Sequence, residues 1–136
     1  MPMTLRFEVF PQDLDTTVKF YTDVLGFTAE RYEPDGPHPY ASLVRDEVCV
    51  GVSPRPQAVP AEHRRPPVGV ELVFEVDDVE VEARRIETSG WPIEEELQHR
   101  PWGLRDFRIC DPNGYYVRIT ERTPGGGSAP STGGAR

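Results

Sequence analysis

The second half of this chain repeats the plan of the first, and no other feature constrains its fold as strongly. LRFEVFPQDLDTTVKFYTDVLGF (residues 5–27) and VELVFEVDDVEVEARRIETSGW (residues 70–91) share one order of parts. Each reads as an alternating apolar strand, an acidic helix start, an amphipathic helix and a Gly-aromatic exit, Gly26-Phe27 or Gly90-Trp91. The copies lie about 65 residues apart, with a slight slip inside the helix. Half of a 136-residue chain buries too little apolar surface to stand alone, so the halves are expected to combine into one domain. Function is expected where such halves face each other.

Strand 1 is predicted near residues 5–10, with Leu5, Phe7 and Val9 on one face and Arg6, Glu8 and Phe10 on the other. Asp13 or Asp15 opens a helix to about Leu25, with Val18, Tyr21, Val24 and Leu25 as its apolar stripe and Gly26 as its stop. Strands follow at 28–32, 40–45 and 48–53. Residues 54–67 are rich in proline and lack periodicity, which reads as an extended, partly stiff linker. The second half restarts with a strand at 68–76, a helix from Asp77-Asp78 to Ser89, and strands at 93–98, 104–110 and 115–121. Asp-Pro-Asn-Gly (111–114) marks the turn between the last two. The expectation is one domain over 1–122: module 1 at 4–53, the linker, and module 2 at 68–122. The tail at 123–136, without apolar periodicity, should be disordered.

Charge narrows the partners. The net charge is −8, from 23 acidic and 15 basic residues. Between Glu71 and Glu96 only Arg84 and Arg85 oppose a run of acids. Such a surface repels phosphate backbones, which argues against nucleic acid and favours a cationic partner, although acidity alone also serves solubility. No apolar run reaches the ~18 residues of a membrane span. No signal-like leader opens the chain. A soluble, cytoplasmic protein with no membrane partner is therefore expected. Cys49 and Cys110 sit in predicted strands among apolar neighbours and read as buried free thiols. No Cys/His spacing resembles a zinc site.

Four stretches in this order carry a family resemblance: DLDTTVKFYTDVLGF (13–27), VFEVDDVE (73–80), PWGLRDF (101–107) and DPNGYYVRI (111–119). Over about residues 5–121 the chain resembles the vicinal oxygen chelate superfamily, the glyoxalase/bleomycin-resistance/dioxygenase group. The resemblance implies an α+β fold. Two βαβββ modules would curl their mixed sheets into a cup, with helices outside and ligand within.

Enzymes of that superfamily hold a divalent metal through His, Gln or Glu side chains of the first and last strands of each module. The corresponding places here are Arg6, Gly51, Glu71 and Arg118. Only Glu71 among them can ligate a cation, because a guanidinium is permanently charged and has no lone pair to give. An Arg at ~4 Å would repel a cation by roughly 4 kcal/mol at an effective dielectric near 20. No metal and no other cofactor is expected. Glu71 between Arg6 and Arg118 reads either as a buried ion pair that fixes the fold or as a ligand anchor. A metal held instead by Glu8, Glu75, Glu121 or the histidines is a conceivable alternative. No Ser or Cys beside a His suggests a nucleophile, and His38, His63 and His99, all in turns or the linker, read as solvent-facing.

PWGLRDF followed by DPNG is typical of the bleomycin-resistance branch, whose members sequester a drug unchanged. They are usually homodimers whose paired modules create ligand grooves. Trp102 matches the aromatic of the WG motif, and its flanking Pro101 and Gly103 favour a pocket wall over core packing. Tyr32, His38 and Tyr40 flank a loop and are candidates for the opposite wall. Tyr116 shares a face with Arg118, and strand parity lines Asp106 and Arg108 up with Arg6, Glu8, Glu71 and Glu75. Phe20, Phe27, Phe74 and Trp91 read as packing only. The expected function is non-catalytic sequestration of a natural product, bleomycin-like or another aromatic or DNA-damaging drug, for self-resistance. The alternatives are a lyase, isomerase or dioxygenase of the same superfamily, metal-dependent or metal-free, and an accessory carrier in a biosynthetic pathway.

Overall fold

The computed structural model describes residues 2–55, 57, 59–64, 67 and 69–122. The tail expected at 123–136 lies outside the described residues, as do parts of the linker. Two units are present, one holding the first four strands and the other the last four, and together they give the α+β fold of two βαβββ modules.

In the first unit, β1 (Arg6–Val9) leads to a helix, then to β2 (Thr28–Glu33), β3 (Tyr40–Arg45) and β4 (Val48–Val52). The sheet order is β1-β4-β3-β2. β1 lies parallel to β4, and the other pairs are antiparallel. Val9, Ala41, Leu43, Val50 and Val52 are buried on one face. Directly opposed residues share a face, so Glu8, Ser42 and Gly51 fall on the other.

The helix starts where the sequence places it. Asp13 adopts an extended conformation and its side chain accepts from the Thr16 amide at 3.3 Å, capping α1 (Leu14–Lys19). Its end differs from expectation. The α-helix stops at Lys19 and a π-helical turn carries Phe20–Val24, closed by Leu25 N–H donating to the Phe20 carbonyl at 3.3 Å. α1 buries Leu14 and Thr17 and leaves Val18 half-buried, and the wider turn buries Phe20, Tyr21 and Val24 with Leu25 after it, so the buried stripe starts earlier than expected and takes in Phe20 as well. Tyr21 meets Phe20 and Phe27 edge-to-face, with ring centroids 5.0 and 5.6 Å apart.

The Asp111–Gly114 turn, read from sequence as part of module 2, packs with the first unit. The Tyr21 hydroxyl donates to Asp111 Oδ2 at 2.9 Å, and the Asn113 side-chain amide donates to Thr17 Oγ1 at 3.3 Å. At Gly114 the chain runs so close to the Ala61 carbonyl that any Cβ would overlap it. Ala61 opens a short 3-10 turn (Ala61–Arg64) in the stretch read as an extended linker.

The second unit repeats the pattern: β5 (Leu72–Val76), α2 (Val79–Ser89), β6 (Glu95–His99), β7 (Arg105–Cys110) and β8 (Tyr116–Glu121), in the order β5-β8-β7-β6 with β5 parallel to β8. Asp78 caps α2 by accepting from the Val81 amide at 3.1 Å, and Gly90 ends it with φ +80. Val79, Ala83 and Ile86 of α2 are buried, as are Phe107, Ile109, Val117 and Ile119 of the sheet. Each of these Val, Ile and Phe side chains contributes roughly 1.5–3 kcal/mol of transfer free energy. The even-numbered residues of β7 and β8 consequently occupy the opposite face. β5 and β6 both begin later than predicted, at Leu72 and Glu95.

Candidate functional site

Each sheet has one face taken by its helix, and the chemistry lies on the other. In the first unit Gly51 stands opposite Glu8 in the parallel register, and the Glu8 carboxylate folds over it; a Cβ at 51 would overlap that carboxylate. Glu8 reaches Arg6 Nε at 3.4 Å and accepts from the Tyr40 hydroxyl at 3.4 Å. Burial first, and the Glu8 charge second, push the Tyr40 phenol above its usual value. Arg31 from β2 lies 5.7 Å above the Tyr40 ring.

The second unit carries a denser arrangement. Glu71 is gripped by Arg108, whose Nε donates to Oε2, and lies 3.7 Å from Arg118 Nε. Arg108 also donates to Glu95 at 3.1 Å. Glu95 and Asp106 share Arg100, at 2.6 and 2.7 Å. The hydrogen bond from Arg100, reinforced by Arg108, holds the Glu95 carboxyl below its ordinary range. Register explains the assembly: Arg108 stands opposite both Glu95 and Arg118, and Asp106 precedes it by two on the same face. Three carboxylates thus meet three guanidiniums in a neutral network on one face of the sheet.

Arg118 is the loosely held member. Its Nη1 is 3.6 Å from Asp106 Oδ2 and its Nε is 3.7 Å from Glu71, beyond hydrogen-bonding distance. Asp106 is fully buried. Its Oδ2 and Arg118 Nε are both buried without a hydrogen-bond partner among the described residues. Each such atom costs roughly 1–3 kcal/mol relative to a satisfied one. Trp102 stands beside this pair, 42% exposed, with its ring centroid 6.0 Å from the Arg118 guanidinium carbon. A tight turn presents it: the Arg100 amide donates to the Leu104 carbonyl at 2.9 Å, and Gly103 takes φ +95.

The structure brings Glu71, Asp106, Arg108 and Arg118 together, with Trp102 at their edge. Tyr116 is half-buried on the Arg118 face. Arg6, Glu8 and Tyr40 meet on the first sheet. Tyr32 does not join them. It stands opposite buried Ala41, and its hydroxyl bonds Asp15 of α1, so it faces the helix while Tyr40 faces away. The expected Tyr32–Tyr40 wall is therefore split across the sheet. His38 is exposed in the loop before β3. Trp91 packs, its Nε1 donating to the Cys110 carbonyl at 2.7 Å. Glu95 and Arg100 escaped the sequence reading. Glu94, Glu95 and Glu96 look alike in sequence, and a register shift between Glu95 and Gln98 decides which of them meets Arg108.

The positions that hold a divalent cation in the related enzymes do not fit one here. Arg6 and Arg118 bring guanidiniums, Gly51 brings no donor, and Glu71 is engaged by arginines. Glu121 is also occupied: it accepts from the Arg105 backbone at 2.8 Å and from its guanidinium at 2.8 and 3.0 Å. Among the described residues no group of three or more His, Cys, Asp or Glu is arranged to hold a metal, and no helix is long and apolar enough to cross a membrane. What the second face does offer is a set of oriented donors and acceptors beside one half-exposed aromatic ring.

Comparison with known proteins agrees with this architecture. A family model described as the Glyoxalase/Bleomycin resistance protein/Dioxygenase superfamily matches residues 5–119. No curated protein matches the chain. Among solved structures, TioX from Micromonospora sp. ML1 is similar at 24% identity and TM-score 0.71, over 88% of this chain and 98% of that one. A glyoxalase/bleomycin resistance protein from Streptomyces sp. CB03234 is similar at 20% identity and TM-score 0.66, over 88% and 100%. TnmS3, an antibiotic binding protein from Streptomyces sp. CB03234, is similar at 18% identity and TM-score 0.66, over 89% and 96%. Identities this low carry the fold and nothing finer. The family match spans most of the chain, and with it the protein belongs to the glyoxalase/bleomycin resistance protein/dioxygenase superfamily.

Proposed function

We propose that this protein binds and sequesters a natural product, an antibiotic with a flat aromatic system, and returns it chemically unchanged. The observation that carries this reading is the half-exposed Trp102 ring beside Arg118, a guanidinium that stands where related enzymes keep a metal ligand. A planar ring system stacked on indole, with its polar edge against fixed donors and acceptors, suits such a face. The fold shared with TnmS3, named an antibiotic binding protein, supports the same class of ligand. Self-resistance in the cytoplasm by a homodimer completes the proposal. Candidate ligands are bleomycin-type glycopeptides, whose cationic groups suit an acidic protein, and other DNA-damaging aromatic drugs.

The test is a titration of such drugs followed by indole fluorescence, with recovered drug checked by mass spectrometry. Saturable quenching by at least one drug is expected, with the drug unaltered. Trp102→Ala should weaken that binding at least tenfold while leaving the denaturation midpoint nearly unchanged, because the ring is 42% exposed. A drug that comes back chemically modified, or no saturable response from any candidate, would defeat the reading.

A further inference from the structure

We propose that the second-unit face recognises its ligand through a neutral cis-amide edge, the adjacent N–H and C=O of a lactam, imide or primary carboxamide attached to the flat ring. This rests on the binding role proposed above and specifies the group that is bound.

The inference starts from two neighbouring atoms. Asp106 Oδ2 is a buried acceptor with no hydrogen-bond partner among the described residues, and Arg118 Nε is a buried donor in the same state. The two side chains approach to 3.6 Å through Arg118 Nη1 and Asp106 Oδ2. One missing donor beside one missing acceptor defines the complement: a group offering one N–H and one carbonyl oxygen on the same edge. A cis-amide does so with both atoms in the plane of an attached ring.

Charge excludes the commoner polar anchors. Glu71, Glu95 and Asp106 are balanced by Arg100, Arg108 and Arg118, and the network is part-buried, with Asp106 wholly so. A carboxylate or phosphate on the ligand would draw Arg118 away and add a negative charge to the balanced network, leaving the fully buried Asp106 with Arg100 alone. An ammonium would reverse the fault. A neutral edge leaves the balance intact while satisfying both atoms.

Access runs past the least tethered members. Arg100 and Arg108 are each held by two carboxylates at hydrogen-bonding distance, whereas Arg118 has only ion pairs of 3.6 and 3.7 Å and a side chain 20% exposed. Arg118 must shift away from Asp106 for a ligand edge to reach Oδ2 with its ring against the indole of Trp102, 6.0 Å from the guanidinium. Trp102 supplies the apolar wall, and the Asp106–Arg118 pair reads the edge.

The experiment uses three flat probes on the whole protein: isoquinolin-1(2H)-one, its N-methyl derivative and naphthalene-2-carboxylate. Binding is followed by the indole N–H signal of Trp102 in NMR titrations. The lactam should bind at least tenfold more tightly than both others, since methylation removes the donor and the carboxylate meets Asp106. Asp106→Asn keeps an oxygen for Arg100 and turns a donor toward the ligand, so it should invert the order and favour the carboxylate. The comparison on unaltered protein stands whether or not that variant folds. Equal affinity for the lactam and its N-methyl derivative overturns the amide edge yet leaves ring binding at Trp102 intact. A Trp102 signal that none of the probes moves also overturns the amide edge, and the drug titration then judges the broader reading separately.

Discussion

Tyr21 is buried completely, yet it carries a hydroxyl that donates to Asp111, 90 positions further along the chain, at 2.9 Å. Burying a phenol is stabilising only when its O–H is satisfied, so this bond ties the Asp111–Gly114 turn to the first unit. Tyr21→Phe keeps the ring and removes the donor, leaving the Asp111 carboxylate short of one hydrogen bond. A loss of about 1–2 kcal/mol is expected, seen as a lower denaturant midpoint with unchanged slope. An unchanged midpoint would show that the turn is held by its other contacts. The sequence makes Tyr21 legible as a core residue, because it falls on an apolar stripe, but not its partner. The same limit applies at Glu8 and Gly51. A strand pattern shows that Glu8 faces away from the core; it does not show that a missing side chain at 51 makes room for the Glu8 carboxylate. Faces within one strand are legible. The choice between Tyr32 and Tyr40 as wall residues is not, since they belong to strands joined by a loop whose length sets their parity.

At the scale of elements, the end of β8 is fastened to the start of β7. Glu121 accepts from the Arg105 amide and guanidinium, and Arg105 reaches on to Glu80 of α2 at 2.6 Å. The backbone hydrogen bond first, then the guanidinium, lowers the Glu121 carboxyl from its ordinary value of 4.5. Arg100, then Arg108, does the same to Glu95. A carboxyl depressed in the folded state binds protons less readily than in the unfolded chain. Its stabilising contribution is therefore complete above the ordinary value and is lost as pH falls through the depressed one. Thermal midpoints are expected to be flat from neutral pH down to about 5 and to fall progressively below that, and Glu121→Gln should flatten the decline. An equally steep decline in the variant would assign the acid sensitivity elsewhere. These elements were largely readable: caps at Asp13 and Asp78 and stops at glycine follow from backbone chemistry. The π turn at Phe20–Val24 and the shift in β6 were not, because a single extra residue in a ladder or a helical turn is set by packing rather than by residue type.

For the molecule as a whole, the repeat implies that whatever one module leaves unfinished, its copy leaves unfinished too. Leu5 and Val70 occupy equivalent places just ahead of β1 and β5, and they are 80% and 61% exposed. Met3 and Val73, close to them in sequence, are exposed as well. The two strands that they lead into each form the edge of a sheet, β1 in one and β5 in the other. Sheet edges with apolar neighbours invite association unless another surface covers them. A second copy of the chain is the simplest cover, because it presents matching surfaces under two-fold symmetry. The net charge of −8 opposes association at long range, and that repulsion is screened beyond roughly 8–10 Å at physiological salt, so apolar burial at contact decides the outcome. Light scattering is therefore expected to give a particle of twice the 15.3 kDa chain mass. Leu5→Asp combined with Val70→Asp should yield a folded monomer with an unchanged circular-dichroism spectrum, since neither side chain belongs to a core. A single-chain mass for the unaltered protein would remove the dimer from the proposal. A dimer that survives the double substitution would place the interface on another surface.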